Sequence, residues 1–408
     1  MARTFSGLFR AVLAVCGALV LSQGCNIYTE DIHRKPSTTS NNYEGGVGWW
    51  SHDTSEGCFT AGVPLLTDRP ASDGANELEP IYLALSTLRL GGRDLDGSTN
   101  TDAWKDFGFD LDGVCTGSDT CNNATADGPP VSCKTDSARP DGVYCRDNML
   151  GLRVGAVETL AAGPFKISET GFNCSLCQGN YNMMVRISGY NGLPNDDQVR
   201  IDLYPSPGIE SNPFTTPCTA TADEFTPTLC WEKSEAFKFK VDKAYFDGAS
   251  TGSGLPNSKY ADANGYVREG YVVIQVPDGM EFWFPHGLDA PVYAFPFKFH
   301  SAIVVARIDR AKTGEWALED GTVAGKLYEQ EILDAFGKLG LCSDNSLYPQ
   351  LTTFAGGSLD VPRTTENDPT KECEAMSFGI RFTAREALPG SGVAVDRLKK
   401  CDGTVDPI

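Results

Sequence analysis

"YNMMVRISGYNGLPNDDQVRIDLY", residues 181–204, holds two strand-like runs around a turn-rich centre. In the second run Val199, Ile201 and Leu203 point one way, and Gln198, Arg200 and Asp202 the other. A side-chain period of two marks a half-buried strand. The intervening "NGLPNDD" is made of turn formers, so the pair reads as an antiparallel hairpin. Working outward, "IYLALSTLRL" (81–90) and "AFKFKVD" (236–242) carry the same partial alternation. "YVVIQV" (271–276) and "AIVVARI" (302–308) are continuously apolar, as strands covered on both faces are. "SFGIRF" (377–382) is a late strand.

Few helices interrupt this pattern. "LYEQEILDAFGKLG" (327–340) places Ile332, Leu333, Phe336 and Leu339 on one face, with acids early, Lys338 late and Gly340 as a stop. Residues 148–161 read as a second short helix. The expected fold is therefore mainly β: a large antiparallel β-sandwich with long disulfide-stapled insertions (115–147, 205–235 and 343–373) and one or two short helices. The body spans 49–408, with a possible subdivision near 215–235.

The N-terminus supplies an address. Arg3 and Arg10 precede the apolar "AVLAVCGALVLS" (11–22), which is too short to span a bilayer and fits a signal peptide over residues 1–24. Cleavage before Cys25 fits both an ordinary small-x-small site and a lipobox, although Leu21 sits one place early and Gln23 is bulky. Of 14 cysteines, Cys16 leaves with the signal and twelve can pair, so Cys25 is the odd one out. Lipidation of Cys25 explains it. Residues 25–48 then form the lipidated cysteine and a flexible tether, in which His33 is solvated. The expected location is the outer membrane or cell surface, with the periplasmic face possible. The twelve remaining cysteines imply disulfides in an oxidising compartment.

Charge narrows the partners. The formal net charge of −20 falls to −22 once Arg3 and Arg10 leave. A nucleic-acid partner is excluded on that ground, because such affinity comes from cations neutralising phosphates. An acidic surface suits cations, basic partners or neutral ligands.

The densest acidity is "RDLDGSTNTDAWKDFGFDLDG" (93–113), where Asp-Leu-Asp-Gly occurs twice. Carboxylates beside a turning glycine suit a hard oxygen-seeking cation such as calcium. The candidate ligands are Asp94, Asp96, Asp102, Asp110 and Asp112, with Asn100 as a further oxygen. "DGVYCRDN" (141–148) adds Asp141, Asp147 and Asn148. The spacing is not an EF-hand: counted from Asp94, position six is Thr99 and position twelve Lys105. The competing reading is a solvated loop of Asx-turns.

These segments carry a resemblance. "EPIYLALSTLRLGG", "DAWKDFGFDLDG" and "ISGYNGLPNDDQVRIDLY" resemble a group of uncharacterised cysteine-rich lipoproteins of myxobacteria and relatives. In that group a "WK-x-x-G-x-DLDG" block precedes a "DG…DN" block, here Asp141-Gly142 and Asp147-Asn148. The resemblance implies a secreted, lipid-anchored protein and carries no activity. It also implies an outer-membrane route, since Asn26 rather than aspartate follows Cys25.

Other motifs are weaker. Ser250 in "GASTG" lies in a Gly/Ser loop without the strand and helix of a nucleophile elbow. "CSLC" (174–177) lacks a redox setting and reads as structural disulfides, and no Cys/His quartet has zinc spacing. The aromatics of 280–300 read as core, with Trp283 the one expected to be exposed and to contact a ligand. The sequence thus points to an envelope protein of binding or structural type, calcium-stabilised and binding a glycan, surface polymer or envelope protein. The alternative is a secreted glycoside hydrolase-like enzyme, for which Glu269, Glu281, Glu315 and Glu319 lie near strands without a pair being singled out.

Overall fold

The computed structural model describes residues 47–54, 57–117, 121, 129–136, 139–161, 168–214, 230–248, 254–285, 293–311 and 313–405. The signal, Cys25, most of the tether and the Ser250 motif lie outside them. Gly48–Ile408 form one structural unit.

Eight long strands dominate: β1 (Ile81–Arg89), β2 (Asn182–Ser188), β3 (Asp196–Ser206), β4 (Ala261–Arg268), β5 (Tyr271–Gln275), β6 (Tyr293–Arg310), β7 (Trp316–Tyr328) and β8 (Ala375–Glu386). The opening hairpin is β2–β3, paired antiparallel from Asn182↔Ser206 to Ser188↔Arg200. Each strand pairs with its neighbours in sequence, β8 returns to β1, and every one of these pairings is antiparallel. The register Tyr271↔Arg307 to Gln275↔Ile303 joins β5 to β6 and closes the sheet. The expected sandwich is thus corrected to one up-and-down barrel. Alternation shows only that one face of each strand is buried, which holds for two facing sheets and for one sheet curled on itself.

Bulges provide the curl. β3 and β4 lose register around Gly265, where a Cβ would stand 2.3 Å from Ile201 Cδ1. β7 and β8 lose it between Leu318 and Gly321, beside Asp320 at φ 52°. A bulge bends a strand and raises its twist, which closure requires.

Eight strands enclose an interior that side chains can fill. Ile81, Leu83, Val185, Ile201, Phe378 and Ile380 belong to the one large core. The outer wall is covered by the chain itself. Ala84, Met184 and Tyr204, from the opposite faces of β1–β3, pack against Trp231, Phe239 and Val241. Asp202, on that outer face, is fully buried and held by Arg186 at 2.6 Å and Arg200 at 2.9 Å. No helix among the described residues is long and apolar enough to cross a membrane.

Among the described residues there are four α-helices, more than expected: α1 (Met149–Ala161), α2 (Glu169–Cys177), α3 (Glu329–Gly337) and α4 (Tyr348–Gly356). α3 begins two residues later than its sequence pattern, because Leu327 and Tyr328 finish β7. α2 was hidden by its composition. Asn, Gly and Cys are poor helix formers, and the helix is instead fixed by a Ser168 cap, disulfides at Cys174 and Cys177, and its contact with β1.

That contact solves an edge problem. β1 pairs with β2 only over Ile81–Ala84. Beyond it, Asn182 accepts from Leu85 N at 2.6 Å and donates to Leu85 O at 2.9 Å. Asn173 does the same for Leu88, at 2.8 and 2.7 Å, and Glu169 accepts from Leu90 N at 2.9 Å. Side-chain amides thus take the place of a strand, as buried backbone groups require.

Five disulfides join described residues: Cys58–Cys121, Cys115–Cys145, Cys133–Cys373, Cys177–Cys230 and Cys342–Cys401. Cys174 is also disulfide-bonded, and since Cys177 pairs with Cys230, "CSLC" is not a redox bridge. This many bridges belong to an oxidising, extracellular environment. If α2 does stand in for a strand, Asn173→Leu strands both backbone groups of Leu88. Urea melts are expected to show a loss of roughly 2–6 kcal/mol, about 1–3 for each stranded group, with the slope m unchanged.

Candidate metal centre

The two Asp-Leu-Asp-Gly copies fold separately. In the first, Asp94 accepts from Asn100 Nδ2 at 2.7 Å, and Asp96 accepts from Ser98 N at 2.8 Å and Ser98 Oγ at 2.7 Å. The Gly97 amide returns to Asp94 O, Asn100 Oδ1 caps the Asp102 amide, and exposed Asp102 lies 3.7 Å from Lys105. This is a self-satisfied loop of Asx-turns. Asp94, Asp96 and Asp102 join no group of metal-ligating side chains among the described residues.

The second copy is carried inward. Trp104, Phe107 and Phe109 are buried anchors on either side of Gly108. Gly108 adopts φ 103° and packs on Gly379 of β8, where an added Cβ would meet Gly108 Cα at 2.6 Å. The loop therefore lies flat on the outer barrel wall. Asp110 N bonds Ala61 O, and Asp147 N bonds Phe109 O, drawing the "DG…DN" block alongside. Tyr144 and Cys145, both at positive φ, make the sharp bend before Asp147. Such residues cost of order 1–3 kcal/mol each and persist only where the surroundings fix them. Here the Cys115 disulfide and Phe59 against the Tyr144 ring do so.

One carboxylate oxygen from each of Asp110, Asp112 and Asp147 lies within 4.8 Å of the others. Oxygens sharing a calcium at 2.3–2.6 Å are separated by at most about 5 Å, so the trio fits such an ion. Protein donors orient each acid. Asp110 accepts from Thr60 Oγ1 at 2.5 Å and Gly113 N at 2.6 Å. Asp112 accepts from Val114 N at 2.8 Å, and Asp147 from Leu111 N at 2.6 Å.

Two more acids face the trio electrostatically. Asp141 accepts from Thr116 N at 2.5 Å, and Asp360 from Ser377 N at 2.7 Å and Ser377 Oγ at 2.5 Å. Burial raises all five acids, and their mutual repulsion adds to it for four. Asp112 is pushed up to about 6 by burial and the Asp110 charge. Asp360 reaches about 7 through burial and Asp112. Asp141 and Asp147 rise well above the ordinary carboxylate range through burial and then Asp112. For Asp110, burial outweighs the Thr60 hydrogen bond. Lys326 of β7 answers from the barrel wall. It is 3 % exposed, donates to Pro362 O at 2.7 Å and Thr364 O at 3.1 Å, and is lowered by burial despite Asp147, Asp112 and Asp360.

Asn148 takes another part. Its Oδ1 accepts from Gly151 N at 3.0 Å and Gly379 N at 2.8 Å, and its Nδ2 donates to Trp104 O at 3.1 Å. It starts α1 and ties it to β8, so its side-chain amide is engaged with the backbone. Asp360 and Lys326 went unread in the sequence because they lie more than 200 residues from the Asp-Leu-Asp-Gly blocks.

The other singled-out groups are structural. The sulfurs of Cys58, Cys115 and Cys121 lie together, but all three are in disulfides and offer no thiolate. Trp283, expected at the surface, is 2 % exposed and donates to Tyr245 OH at 3.0 Å. Its strand, Met280–Pro285, continues β5 along the same edge of β6, and Tyr245 and Arg397 cover the ring. Phe282 and Phe299 stack at 5.3 Å beside it. Glu281 is also buried and lies between Lys338 at 3.6 Å and Arg397 at 3.4 Å.

Lys326→Met removes a cation that faces the acids and frees two carbonyls. It is expected to destabilise the protein by roughly 3–5 kcal/mol, the usual cost of leaving buried charge unpaired, as read by chemical denaturation. A scan against protein-family models, a search of the curated proteins and a search of the solved structures each returned no match.

Proposed function

We propose that this chain is an exported, lipid-anchored envelope protein of binding or structural type, whose lid loops are locked onto the barrel by calcium. The observation that carries the reading is the contrast among buried acids. Asp202 faces two arginines, Glu281 a lysine and an arginine, and Glu169 lies 3.6 Å from Arg89. Asp110, Asp112, Asp141, Asp147 and Asp360 together face Lys326, with Arg139 near Asp360 and His52 near Asp110. Buried carboxylates in that excess take up protons or a cation. The donors are all hard oxygens and the spacing suits calcium.

The role of the ion is to order loops. Asp110 and Asp112 lie in the loop against the wall, Asp147 precedes α1, and Asp141 and Asp360 lie on segments crossed by Cys115–Cys145 and Cys133–Cys373. The outer face so presented is where a glycan, surface polymer or envelope protein would dock, with the acyl chains of Cys25 holding the body at the membrane.

Calorimetric titration is expected to give one calcium site. At an affinity of roughly 10⁻⁴–10⁻³ M, about 10 mM calcium contributes roughly 1.4–2.7 kcal/mol, seen as a higher melting temperature than in EDTA. Asp147→Asn separates the two ways of neutralising the site: it weakens the calcium response and raises the melting temperature in EDTA. A melt indifferent to EDTA, with no heat of binding, overturns the calcium reading. Mass spectrometry of the mature N-terminus is expected to find acyl chains on Cys25, and an unmodified cysteine ends the anchor reading.

A further inference from the structure

His300 lies on β6 where its pairing slips. Register with β7 shifts between His300 and Ile303, and Ser301 stands at φ 47°. The bulge turns the imidazole into a slot between two carboxylates. Nδ1 is 3.0 Å from Asp278, on the turn after β5, and Nε2 is 2.6 Å from Glu331, in the first turn of α3. The ring stacks on Tyr328 of β7 at 3.9 Å, and Arg363 covers the Tyr328 ring at 3.8 Å. Lys326 is the register partner of His300 across the β6–β7 pair. Asp278 also accepts from Ser301 N at 3.1 Å, which pins the turn to the bulge.

We propose that Asp278, His300 and Glu331 form a pH-sensitive latch that fastens the Met280–Pro285 hairpin and the start of α3 to one end of the barrel. The argument is an inventory of protons. An imidazolium has two N–H groups and can donate to both carboxylates. A neutral imidazole has one, so loss of the proton leaves a lone pair facing one carboxylate and opens one arm. Both arms are charge-assisted while the ring is protonated.

The sign follows from the surroundings. Burial alone would lower the pKa of His300, but the hydrogen bonds and charges of Glu331 and Asp278 outweigh it and raise it from 6.5. Asp278 is correspondingly lowered: its bonds to His300 and Ser301 overcome burial. A raised histidine contributes stability that is whole below its unfolded pKa and is lost as pH rises through the folded one. The latch is therefore shut in acid and loosens in alkali. What it holds has a consequence for the core. The hairpin carries Phe282 and Trp283, which with Leu85, Leu88, Phe172 and Leu176 line a small void between β1 and α2. Loosening the latch opens that end of the interior first.

The test is hydrogen exchange by mass spectrometry on the mature chain, corrected for intrinsic rates, at about pH 6 and about pH 9, with NMR titration of the His300 ring. In the wild type, protection in 280–285 and 330–337 is expected to fall about tenfold across that range, the worth of one charge-assisted hydrogen bond. His300→Gln is expected to show no such fall, and His300 to titrate above 6.5. Glu331→Gln keeps the Asp278 arm and is expected to lower the His300 midpoint. An equal fall in His300→Gln, a midpoint at or below 6.5, or a midpoint unmoved by Glu331→Gln overturns the latch. All measurements are made in EDTA and repeated in calcium, so that failure of the metal reading is seen separately.

Discussion

Closure of the sheet between β5 and β6 is the constraint on which the rest of this structure rests. A closed barrel has no lateral edges, but these strands are unequal in length. β6 runs over 18 residues and β2 over seven. The surplus collects at one end, where β1 outruns β2 and β6 outruns β5. Each overhang needs partners for its backbone. α2 supplies amides to β1, and the Met280–Pro285 strand pairs with the surplus of β6. The His300 latch sits where that second repair begins.

The outer wall poses a different problem. Its strands carry charged residues at positions that alternation assigns to water, yet the insertions bury many of them. Two solutions stand on one barrel. Around Asp202 the chain supplies two arginines, so the carboxylate is answered from within the chain. Around Asp110, Asp112 and Asp147 it supplies backbone amides, hydroxyls, further acids and the lysine Lys326. Amides and hydroxyls orient carboxylates without cancelling their charge, so the second arrangement depends on what the solvent provides. Its charge thus responds to pH, as the raised pKa values of these acids imply.

How much of this was legible follows from range. The strands of the opening hairpin, the apolar 271–276 and 302–308 runs and the α3 stripe are local patterns, and each became the element its period implied. Closure was not legible, because the β5–β6 pairs that decide it, Tyr271↔Arg307 to Gln275↔Ile303, join two apolar runs about 30 residues apart, and neither run carries a local sign of its partner. That Asp110, Asp112 and Asp147 carry oxygen donors beside turn formers was readable, and the structure brings one oxygen of each within 4.8 Å of the others. The same signal at Asp94 and Asp96 accompanies a loop of Asx-turns that joins no acidic group among the described residues, since an Asx-turn and a ligand loop use identical residues. What separates them is burial, which Trp104, Phe107 and Phe109 confer on the second copy and nothing equivalent on the first. Trp283 failed for a related reason: the far side of its strand faces Tyr245 and Arg397, contributed by segments 38 and 114 residues away.

The disulfides explain why such a charged lid can be assembled at all. Five acids cannot be gathered by their own attraction, because they repel. Cys115–Cys145 and Cys133–Cys373 bring their segments together irrespective of charge, and a bridge that closes a long loop restricts the unfolded chain most. The cross-links hold in one place segments whose carboxylates repel one another. A chain reduced at those bridges would lose the constraint that keeps these acids concentrated. On that reasoning the oxidising compartment is a condition for the site as well as for the fold.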